Sequence, residues 1–512
     1  MLNRLIRNFF KICIILILII SPAYLYSQNI TSDNKDTIFL VKGSIIYFND
    51  TSIIIHNDTV ILLPKETKFK IRRDPSVVET EFYDSLKTKS SRFPILGDII
   101  NLVIAKNEDT LRKGYTPIKS EQAYSQLDEK TVKKIRIKRL SPFGTSVYDT
   151  SYISETWAEK TANKLHITTI EKVIRSNLIF SENDKINSFI IAENERILRN
   201  QPYLYEVKFY STLDENDSTE ITLVTRDLWS IGIKPDLGSR SGNMEIYDLN
   251  FLGLGNTLST KIFYDKDSAQ KTGFSGQYLL TNIRNSFIDG SVFYSSIYNK
   301  ENYGINISRS FNYLNIKHAG GILVERTNDI YRVSDEILKQ TSYPLNYYQT
   351  QIWVGKSWNI NNNEINKFSN KLIISTGYYK KYFLTRPYVS SDSNKLLHNS
   401  DLIMLSLTLS KRNYYKSNLI YAFGTIEDIP YGYLTEFTYG REKREFSNRN
   451  YYGFQFAFAD FAGNLGYIYT NLGLGGYLNN KKIEQATIKF TAKTFSNLYY
   501  YTKYNFRNFA TI

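Results

Sequence analysis

Apolar and polar residues alternate along segment after segment of the chain from residue 243 onward. The clearest run sets Ala486, Ile488, Phe490 and Ala492 against Thr487, Lys489, Thr491 and Lys493. Because successive side chains of a β-strand point to opposite faces, this alternation predicts strands with one apolar and one polar face. About fourteen such segments follow one another, many near the length of about 9–11 residues that crosses a bilayer at a tilt. We therefore expect an antiparallel transmembrane β-barrel, in preference to a soluble sandwich with shorter strands.

The alternation also predicts which face each side chain lies on. A lipid-facing lysine near the midplane costs roughly 2–4 kcal/mol, so the apolar members of each strand should face lipid and the polar members the lumen. The residues expected to face lipid are Tyr433, Phe437, Phe454, Phe456, Ile488 and Phe490. Those expected in the lumen are Gln455, Thr487, Lys489 and Lys493.

The predicted barrel begins with the stretch IYDLNFLGLGNTLSTKIFYD, residues 246–265. Two alternating runs flank a glycine turn at Gly253 and Gly255, which is a hairpin pattern. Glycines in this spacing can also bind phosphate, but that use requires a following helix, and no helical periodicity follows here. The stretch is therefore expected to form the first membrane hairpin.

The charge balance and the aromatic content indicate whether the chain binds lipid or nucleic acid. Lys and Arg number 64 against 50 acidic residues, which gives a formal charge of +14. The basic residues are scattered and form no single stripe, so we expect a solvated surface with some attraction to anionic lipid and no nucleic-acid partner. The 41 Tyr and 30 Phe are typical of the aromatic girdles of an outer-membrane barrel.

Residues 1–27 have the pattern of a secretory signal peptide. Arg4, Arg7 and Lys11 form a basic region, and an apolar run over residues 12–20 precedes a short polar exit. The apolar run is too short to span a membrane comfortably, so cleavage is expected. The preferred site is after Ser27, and cleavage after Ala23 is the alternative.

Candidate catalytic, cofactor and metal residues are lacking in the sequence. The one cysteine, Cys13, lies inside the signal segment and follows Lys11 and Ile12, unlike a lipidated cysteine, so the mature chain has no thiol. Four His are present, and His56 has no second ligand nearby in sequence. A barrel hydrolase is the enzymatic alternative: the chain lacks G-x-S-x-G, although His318 or His398 could meet a serine in space. We predict no enzyme, no cofactor and no metal site.

The segment from residue 28 to residue 115 is expected to be a small accessory domain. Short β-rich runs cover residues 38–41, 44–48, 52–56 and 59–63, with Asn and Asp at the turns. Apolar residues at helical spacing follow over residues 77–105. No chemistry is predicted for this domain.

Residues 131–231 predict the order β-α-α-β-β. A strand at 132–140 precedes two helical runs that are separated by the polar turn at 181–184, and strands follow at 203–211 and 220–225. The second helix carries the charge run Glu193, Glu195, Arg196 and Arg199. A salt-bridged, exposed helix face explains this run better than a catalytic site does.

This pattern resembles a POTRA domain, the periplasmic module of the outer-membrane assembly factor and surface antigen superfamily. That superfamily includes BamA-like and TamA-like proteins and two-partner secretion transporters. The matching segments are ENERILR at 193–199 with Gln201-Pro202-Tyr203, the strand ITLVTRD at 221–227, the hairpin YDLNFLGLGNTL at 247–258 and IPYG at 429–432. The resemblance implies a POTRA-like domain at 116–235, a barrel at 240–512, and an outer-membrane location with the N-terminal domains in the periplasm.

Two features of the superfamily are not found in the sequence. Its members carry an Arg-Gly-aromatic motif on a loop folded into the lumen, and they usually end on an aromatic residue. This chain has no such triplet and ends Phe509-Ala-Thr-Ile512. Because an open edge in lipid leaves backbone groups unpaired, we expect an incomplete barrel in which a long strand at 499–509 makes no full ladder with the strand at 243–252.

The function implied by the resemblance is insertion or translocation of other polypeptides. Edge pairing would be the physical means, because an exposed strand edge accepts an added strand by β-augmentation. The candidate edge of the POTRA-like domain is residues 203–211, and the candidate barrel seam is residues 243–252. The alternative is a diffusion channel or adhesion barrel with a periplasmic appendage.

Overall fold

The fold is taken from a computed structural model. It describes residues 117–144, 146–148, 156–213, 218–268, 270–313, 316–334, 340–360, 370–422, 425–501 and 504–512, and five short strands between residues 35 and 73. The predicted signal peptide, the predicted helix at 77–105 and His56 lie outside these residues. Two compact units are present, residues 1–77 and residues 78–512.

The first unit contains two small antiparallel sheets. Strand β1 (Lys35–Leu40) pairs with β4 (Thr59–Pro64). Strand β2 (Ser44–Tyr47) lies between β3 (Ser52–Ile54) and β5 (Lys70–Arg73). The four β-rich runs of the sequence therefore correspond to strands, and β5 is a fifth strand that the sequence did not predict.

The second unit opens with a three-stranded sheet covered by helices, which we call the small sheet module. The elements, in order, are β6 (Ile118–Lys119), a 3-10 helix (Ser120–Leu127), β7 (Thr131–Leu140), α1 (Trp157–Leu165), α2 (Glu171–Ser176), α3 (Ser188–Arg199), β8 (Leu204–Leu213) and β9 (Ser218–Asp227). Strand β9 lies in the middle, parallel to β7 and antiparallel to β8. The predicted strands and the two predicted helices are present, and α1 is an additional helix.

Local sequence explains where these helices begin. Thr156 and Glu159 form a capping box at the start of α1, each satisfying a backbone N–H of the other. The Asn187 side chain accepts a hydrogen bond from the Ile190 N–H at the start of α3. The helices and the sheet then bury a common apolar core, whose fully buried members include Val132, Ile174, Ile191, Leu198, Tyr203 and Leu223.

A long antiparallel sheet, which we call the large sheet, follows the module. Its strands are β10 (Ile231–Leu237), β11 (Ser241–Phe251), β12 (Asn256–Asp265), β13 (Thr272–Leu280), β14 (Asp289–Ile297), β15 (Lys300–Arg309), β16 (His318–Ser334), β17 (Gln340–Asn359), β18 (Asn370–Thr385), β19 (Ser400–Asn418), β20 (Ile426–Arg444), β21 (Asn448–Phe461), β22 (Tyr467–Asn479) and β23 (Lys482–Phe495). Each strand pairs with the next one in sequence, so the topology is a meander. The sequence prediction of about fourteen successive strands is confirmed.

The two faces of the large sheet differ in chemistry, and the register shows it across five strands. Opposite one another on one face lie Leu407, Phe437, Phe454, Leu474 and Ile488. The adjacent row on the other face is Thr408, Glu436, Gln455, Gly473 and Lys489. The predicted apolar and polar sets therefore lie on opposite faces. Most of the apolar set is exposed, and the ring of Phe454 packs on that of Phe437 at 4.9 Å.

The edges of the large sheet differ from the sequence prediction. The predicted seam strand, β11, has β10 on one side and β12 on the other, so the edge strand is β10. The sheet therefore begins at Ile231, before the predicted barrel boundary at residue 240. Pro235 lies in β10, and a proline is tolerated best on such an edge strand. The segment alternates at Ile231, Ile233 and Leu237, but it is only 7 residues long and contains Pro235, which argues against a central strand.

The predicted long strand at 499–509 is wrong. The segment forms a separate hairpin of β24 (Tyr499–Tyr501) and β25 (Tyr504–Phe506), and β26 (Phe509–Thr511) then pairs with β23. Aromatic alternation fits one long strand and two short ones equally well. The intervening Thr502-Lys503 includes no glycine or proline that would mark a turn.

We expect Gly432→Ala to disrupt the pairing of β19 with β20. Gly432 has φ +131° and an added Cβ would lie 2.0 Å from the Lys411 carbonyl oxygen, so the cost should be about 2–3 kcal/mol of unfolding free energy. Gly473→Ala is the matched control, because its Cβ would meet nothing closer than 3.9 Å. Thermal unfolding followed by circular dichroism in neutral detergent measures both, and equal midpoints would contradict the assignment.

Candidate functional site at the junction of the small sheet module and the large sheet

The charge run of α3 lies against the large sheet. Glu193, Glu195 and Arg196 are buried, with exposed fractions of 4%, 0% and 8%, and the side chain of Arg199 is 9% exposed. The prediction that these residues form an exposed helix face is therefore wrong, although the prediction of salt bridges within the run is confirmed. Spacing along the helix could not reveal the burial, because the ionic partners on the large sheet, Lys416 and Asp428, lie 221 and 229 residues later in the chain.

Glu195 is the centre of this cluster. Its Oε2 lies 2.6 Å from the Lys416 Nζ and accepts a hydrogen bond from the Tyr124 hydroxyl, and its Oε1 lies 2.8 Å from Arg199 Nη1. Burial alone would raise the pKa of Glu195, but the charges of Lys416, Arg199 and Lys208 lower that pKa to about 2. The carboxylate is therefore ionised at neutral pH, and its charge is compensated from both α3 and β19.

Arg199 connects α3 to strand β20. Its Nε and Nη2 donate to the two carboxylate oxygens of Asp428 at 3.0 and 2.8 Å, while Nη1 contacts Glu195. A guanidinium that holds a carboxylate through two parallel bonds fixes orientation as well as distance. Two ion pairs, Arg199 with Asp428 and Glu195 with Lys416, thus join one helix to two adjacent strands.

Arg196 brings a third segment to the junction. Its guanidinium forms two hydrogen bonds to Glu193, at 2.8 and 2.7 Å, and stacks over the Tyr414 ring at 4.4 Å. Its Nη2 also donates to the carbonyl of Asn312 at 3.2 Å, in the connection that follows β15. The helix therefore contacts three neighbouring parts of the large sheet.

Backbone pairing and apolar packing complete this side of the junction. Strand β6 pairs with the end of β19, with Lys119 opposite Tyr415 and Ile118 opposite Lys416. Ile197 of α3 is buried in a cluster with Phe287, Ile316 and Ala319. Because ionic, apolar and backbone contacts occur together, the module and the large sheet share one interface.

A second polar cluster attaches the module to the turn of the β11–β12 hairpin. Asn250 donates to the Thr169 hydroxyl at 2.9 Å and accepts from the Gly255 N–H at 2.9 Å. Asp227, at the end of β9, accepts from the Thr169 N–H at 2.7 Å and lies 2.9 Å from His166 Nε2. The predicted glycine turn is confirmed, with Gly255 at φ +70°.

The ends of the large sheet can be named from these contacts. We call the end that carries the turn at 252–255 and the connection at 281–288 the near end, because both contact the module. Asn282 of the second connection donates to the Ser176 carbonyl at the end of α2, at 2.8 Å. The module therefore covers the near end of the first strands of the sheet.

The histidines considered for hydrolysis do not form a catalytic pair. His318 begins β16, and His398 Nε2 lies 2.9 Å from the backbone carbonyl of Ser390. In the described ranges, neither histidine is hydrogen-bonded to a serine hydroxyl. The same ranges hold no group of three or more His, Cys, Asp or Glu side chains arranged to bind a metal ion.

No helix within the described part of the chain combines the length and the apolar character needed to cross a membrane.

Among the edge strands of the described sheets, β8 and β10 are the two that bear on the sequence predictions. Strand β8 lies at one edge of the small sheet and has β9 as its strand neighbour, so the predicted edge at 203–211 corresponds to an edge strand. Strand β10 lies at the edge of the large sheet and carries the exposed side chains Ile231, Ile233 and Leu237.

The chain was compared with known proteins. No protein-family model matches it, and no curated protein matches it. The structure is similar to that of BamA from Haemophilus ducreyi lacking POTRA domains 1-3, with 11% identity and a TM-score of 0.28, over 82% of this chain and 94% of that chain. It is also similar to CdiB from Escherichia coli, with 12% identity and a TM-score of 0.30, over 72% of this chain and 69% of that chain. For CdiB from Acinetobacter baumannii the identity is 11% and the TM-score 0.32, over 81% of this chain and 85% of that chain. Similarity at this level does not establish a shared activity.

We expect Glu195→Gln to destabilise the chain by about 3–5 kcal/mol at pH 7, because it leaves Lys416 buried without its carboxylate partner. The pKa of Glu195 is lowered from 4.5 to about 2. Its ionised form therefore stabilises the fold fully above pH 4.5, and this contribution decreases as the pH falls toward 2. The difference in stability between the two proteins should shrink over that range.

Thermal unfolding between pH 2 and pH 7 in neutral detergent measures this difference. Glu171→Gln is the control, because Glu171 forms an exposed pair with Arg175 at 3.1 Å and such pairs contribute at most about 1 kcal/mol. A difference for Glu195→Gln that is no larger than that of the control, or that grows as the pH falls, would contradict the assignment.

Proposed function

We propose that this chain is a non-enzymatic outer-membrane β-barrel protein that inserts or translocates other polypeptides. One observation carries the proposal: a long antiparallel sheet has an exposed apolar face opposite a polar face. The module at the near end is then a POTRA-like domain in the periplasm. Outer-membrane lipid and client polypeptides are the proposed partners.

The exposed apolar face supports a membrane location. Ile305, Leu405, Phe437 and Phe490 are each more than 50% exposed, and their neighbours across the strands include Val292, Leu407 and Leu472. Soluble monomers rarely leave so extended an apolar surface in water. In a bilayer the same face contacts lipid chains, while each interior strand of the meander is hydrogen-bonded to a strand on both sides, as the hydrocarbon region requires.

The free edge of β10 supports a role in polypeptide insertion. Its backbone pairs with β11 on one side, and its side chains Ile231, Ile233 and Leu237 are 50%, 62% and 81% exposed. An edge strand of this kind accepts an additional strand through main-chain hydrogen bonds, and alternate side chains then add apolar contact. We propose β10, in place of the sequence-predicted seam strand β11, as the site of client pairing.

The module would deliver the client to that edge. Strand β8 offers a second edge for β-augmentation, and the ion pairs of α3 with β19 and β20 hold the module at the near end. Asp227, the last residue of β9, and Ile231, the first residue of β10, are separated by three residues. A client bound along the module therefore starts close to the edge of the large sheet.

A diffusion channel is the second candidate, and the polar face of the large sheet favours it. Thr408, Glu436 and Gln455 lie in one row on that face, as expected for the wall of an aqueous lumen. Conductance across planar bilayers without any client adduct would support the channel and would contradict insertion.

Phe437→Lys should impair insertion into lipid vesicles. A lysine on the lipid face near the midplane costs roughly 2–4 kcal/mol, whereas a lysine on the lumen face is tolerated. Gln455→Lys is the matched control, because Gln455 lies on the polar face opposite Glu436. The folded fraction, read from heat-modifiable mobility after a urea titration, should fall for Phe437→Lys alone, and equal effects of the two changes would exclude a lipid-facing Phe437.

A photoreactive residue at position 233 should form adducts with a client. The expected partner is an unfolded outer-membrane polypeptide added to vesicles that contain the chain, because β10 is an edge strand of the large sheet. Position 305 is the control, since Ile305 is similarly exposed but its strand β15 is paired on both sides. Adducts of equal yield at both positions, or none at 233, would contradict edge pairing at β10.

A further inference from the structure

The polar face of the large sheet contains a cavity beside the junction, with which it shares Asn312. Its volume is about 370 Å³, and its wall is formed by strands β17 to β22 together with the connection after β15. The small residues Gly432, Ala457 and Ala459 leave this space open. Ala457 is opposite Leu434, and Ala459 is opposite Gly432. This volume is within the range of small-molecule sites.

Two cations share one end of this cavity. Lys371 of β18 lies opposite Ser410 of β19, and Arg412 follows two positions along β19, so the two side chains are diagonal neighbours on one face. Lys371 is 5% exposed. The charges of Lys371 and Arg412 are therefore close together in a partly desolvated environment.

Neither cation has an ion-pair partner in the described ranges. Lys371 Nζ donates to the Tyr313 carbonyl at 3.1 Å, and Arg412 Nη2 donates to the carbonyls of Phe311 and Asn312 at 3.2 and 2.7 Å. Backbone carbonyls satisfy donors but do not neutralise charge. A buried Lys371 beside the half-buried Arg412, with no ion-paired carboxylate in the described part of the chain, is unfavourable, and an anion bound between them would relieve the repulsion.

Unused donors remain on both side chains. An ammonium has three N–H groups and a guanidinium has five, and the bonds above involve one donor of Lys371 and the Nη2 group of Arg412. Within the described ranges, the hydrogen bonds of Arg412 are made through Nη2, and Nε and Nη1 make none. Arg412 lines the cavity, which places these donors where a ligand could accept from them.

The rest of the wall is mainly apolar. Phe311, Trp353, Ile373 and Leu434 line it, and the carboxylate of Glu436 accepts a hydrogen bond from the Thr408 hydroxyl at 2.7 Å. A ligand that fits both parts of the wall has an anionic head and an apolar body.

We propose that this cavity binds a small amphiphilic anion, a carboxylate or phosphate that carries a short apolar chain, with Lys371 and Arg412 holding the head group. The site is separate from the edge of β10 and does not depend on the proposed function. If Lys371 and Arg412 serve only to hold residues 311–313 against the sheet through their hydrogen bonds, no saturable ligand binding occurs.

Isothermal titration calorimetry on the full chain, folded in a neutral maltoside detergent, tests the proposal. Octanoate and octyl phosphate are the two head-group probes, and inorganic phosphate tests the need for an apolar body. We expect saturable binding of at least one octyl probe near one per chain, and binding of inorganic phosphate at least tenfold weaker.

Three variants locate the site. Lys371→Met should weaken binding at least tenfold by removing charge, and Ala457→Phe should do so by filling the cavity without any change of charge. Lys371→Arg, which keeps the charge, should retain binding. Lys489→Met is the control, because Lys489 is an exposed lysine on the same face, located outside the cavity.

Heat-modifiable mobility identifies the variants that fold, and affinities are compared among those. No saturable binding of either octyl probe by the unmodified chain would overturn the proposal. Affinity unchanged in both Lys371→Met and Ala457→Phe, or equal affinity for inorganic phosphate and the octyl probes, would overturn it as well.

Discussion

The pairing of Glu195 with Lys416 and Arg199 is the interaction on which the relation between the module and the large sheet depends. Each of these charges is removed from water, and a buried charge without a partner is costly. Because the partners come from α3 and from β19, the cost is offset when the helix and the strand are in contact. The cluster therefore both specifies and stabilises one docked arrangement of the module on the large sheet. Strand β20 belongs to this arrangement as well, because its Asp428 pairs with Arg199.

The sequence was informative wherever a local period determines the structure. Alternation by two predicted the strands of the meander and their faces, since the row of Leu407 and Phe437 is opposite in chemistry to that of Thr408 and Glu436. Helical spacing predicted α2 and α3. These features depend on residues a few positions apart, which a single sequence displays directly.

The candidate site was less accessible to sequence analysis because it joins distant residues. Nothing near Glu195 indicates Lys416, and an ion pair within a helix has the same spacing whether it is exposed or buried. The boundary errors have a similar origin. Strand β10 alternates, but it is short and contains Pro235, so its pairing with β11 identifies it better than its own pattern does. The terminal hairpin of β24 and β25 lacks a residue that would mark its turn.

The short connection between β9 and β10 also has a consequence for the order of folding. Leu228 N–H donates to the Tyr203 carbonyl and Leu249 N–H to the Ser230 carbonyl, so the connection is fixed at both ends. A module that folds first would hold β10 in position before later strands exist. Each subsequent strand then needs to find only its immediate predecessor, which keeps loop closure short. The module would thus act as the nucleus from which the sheet grows strand by strand, in the order of the sequence.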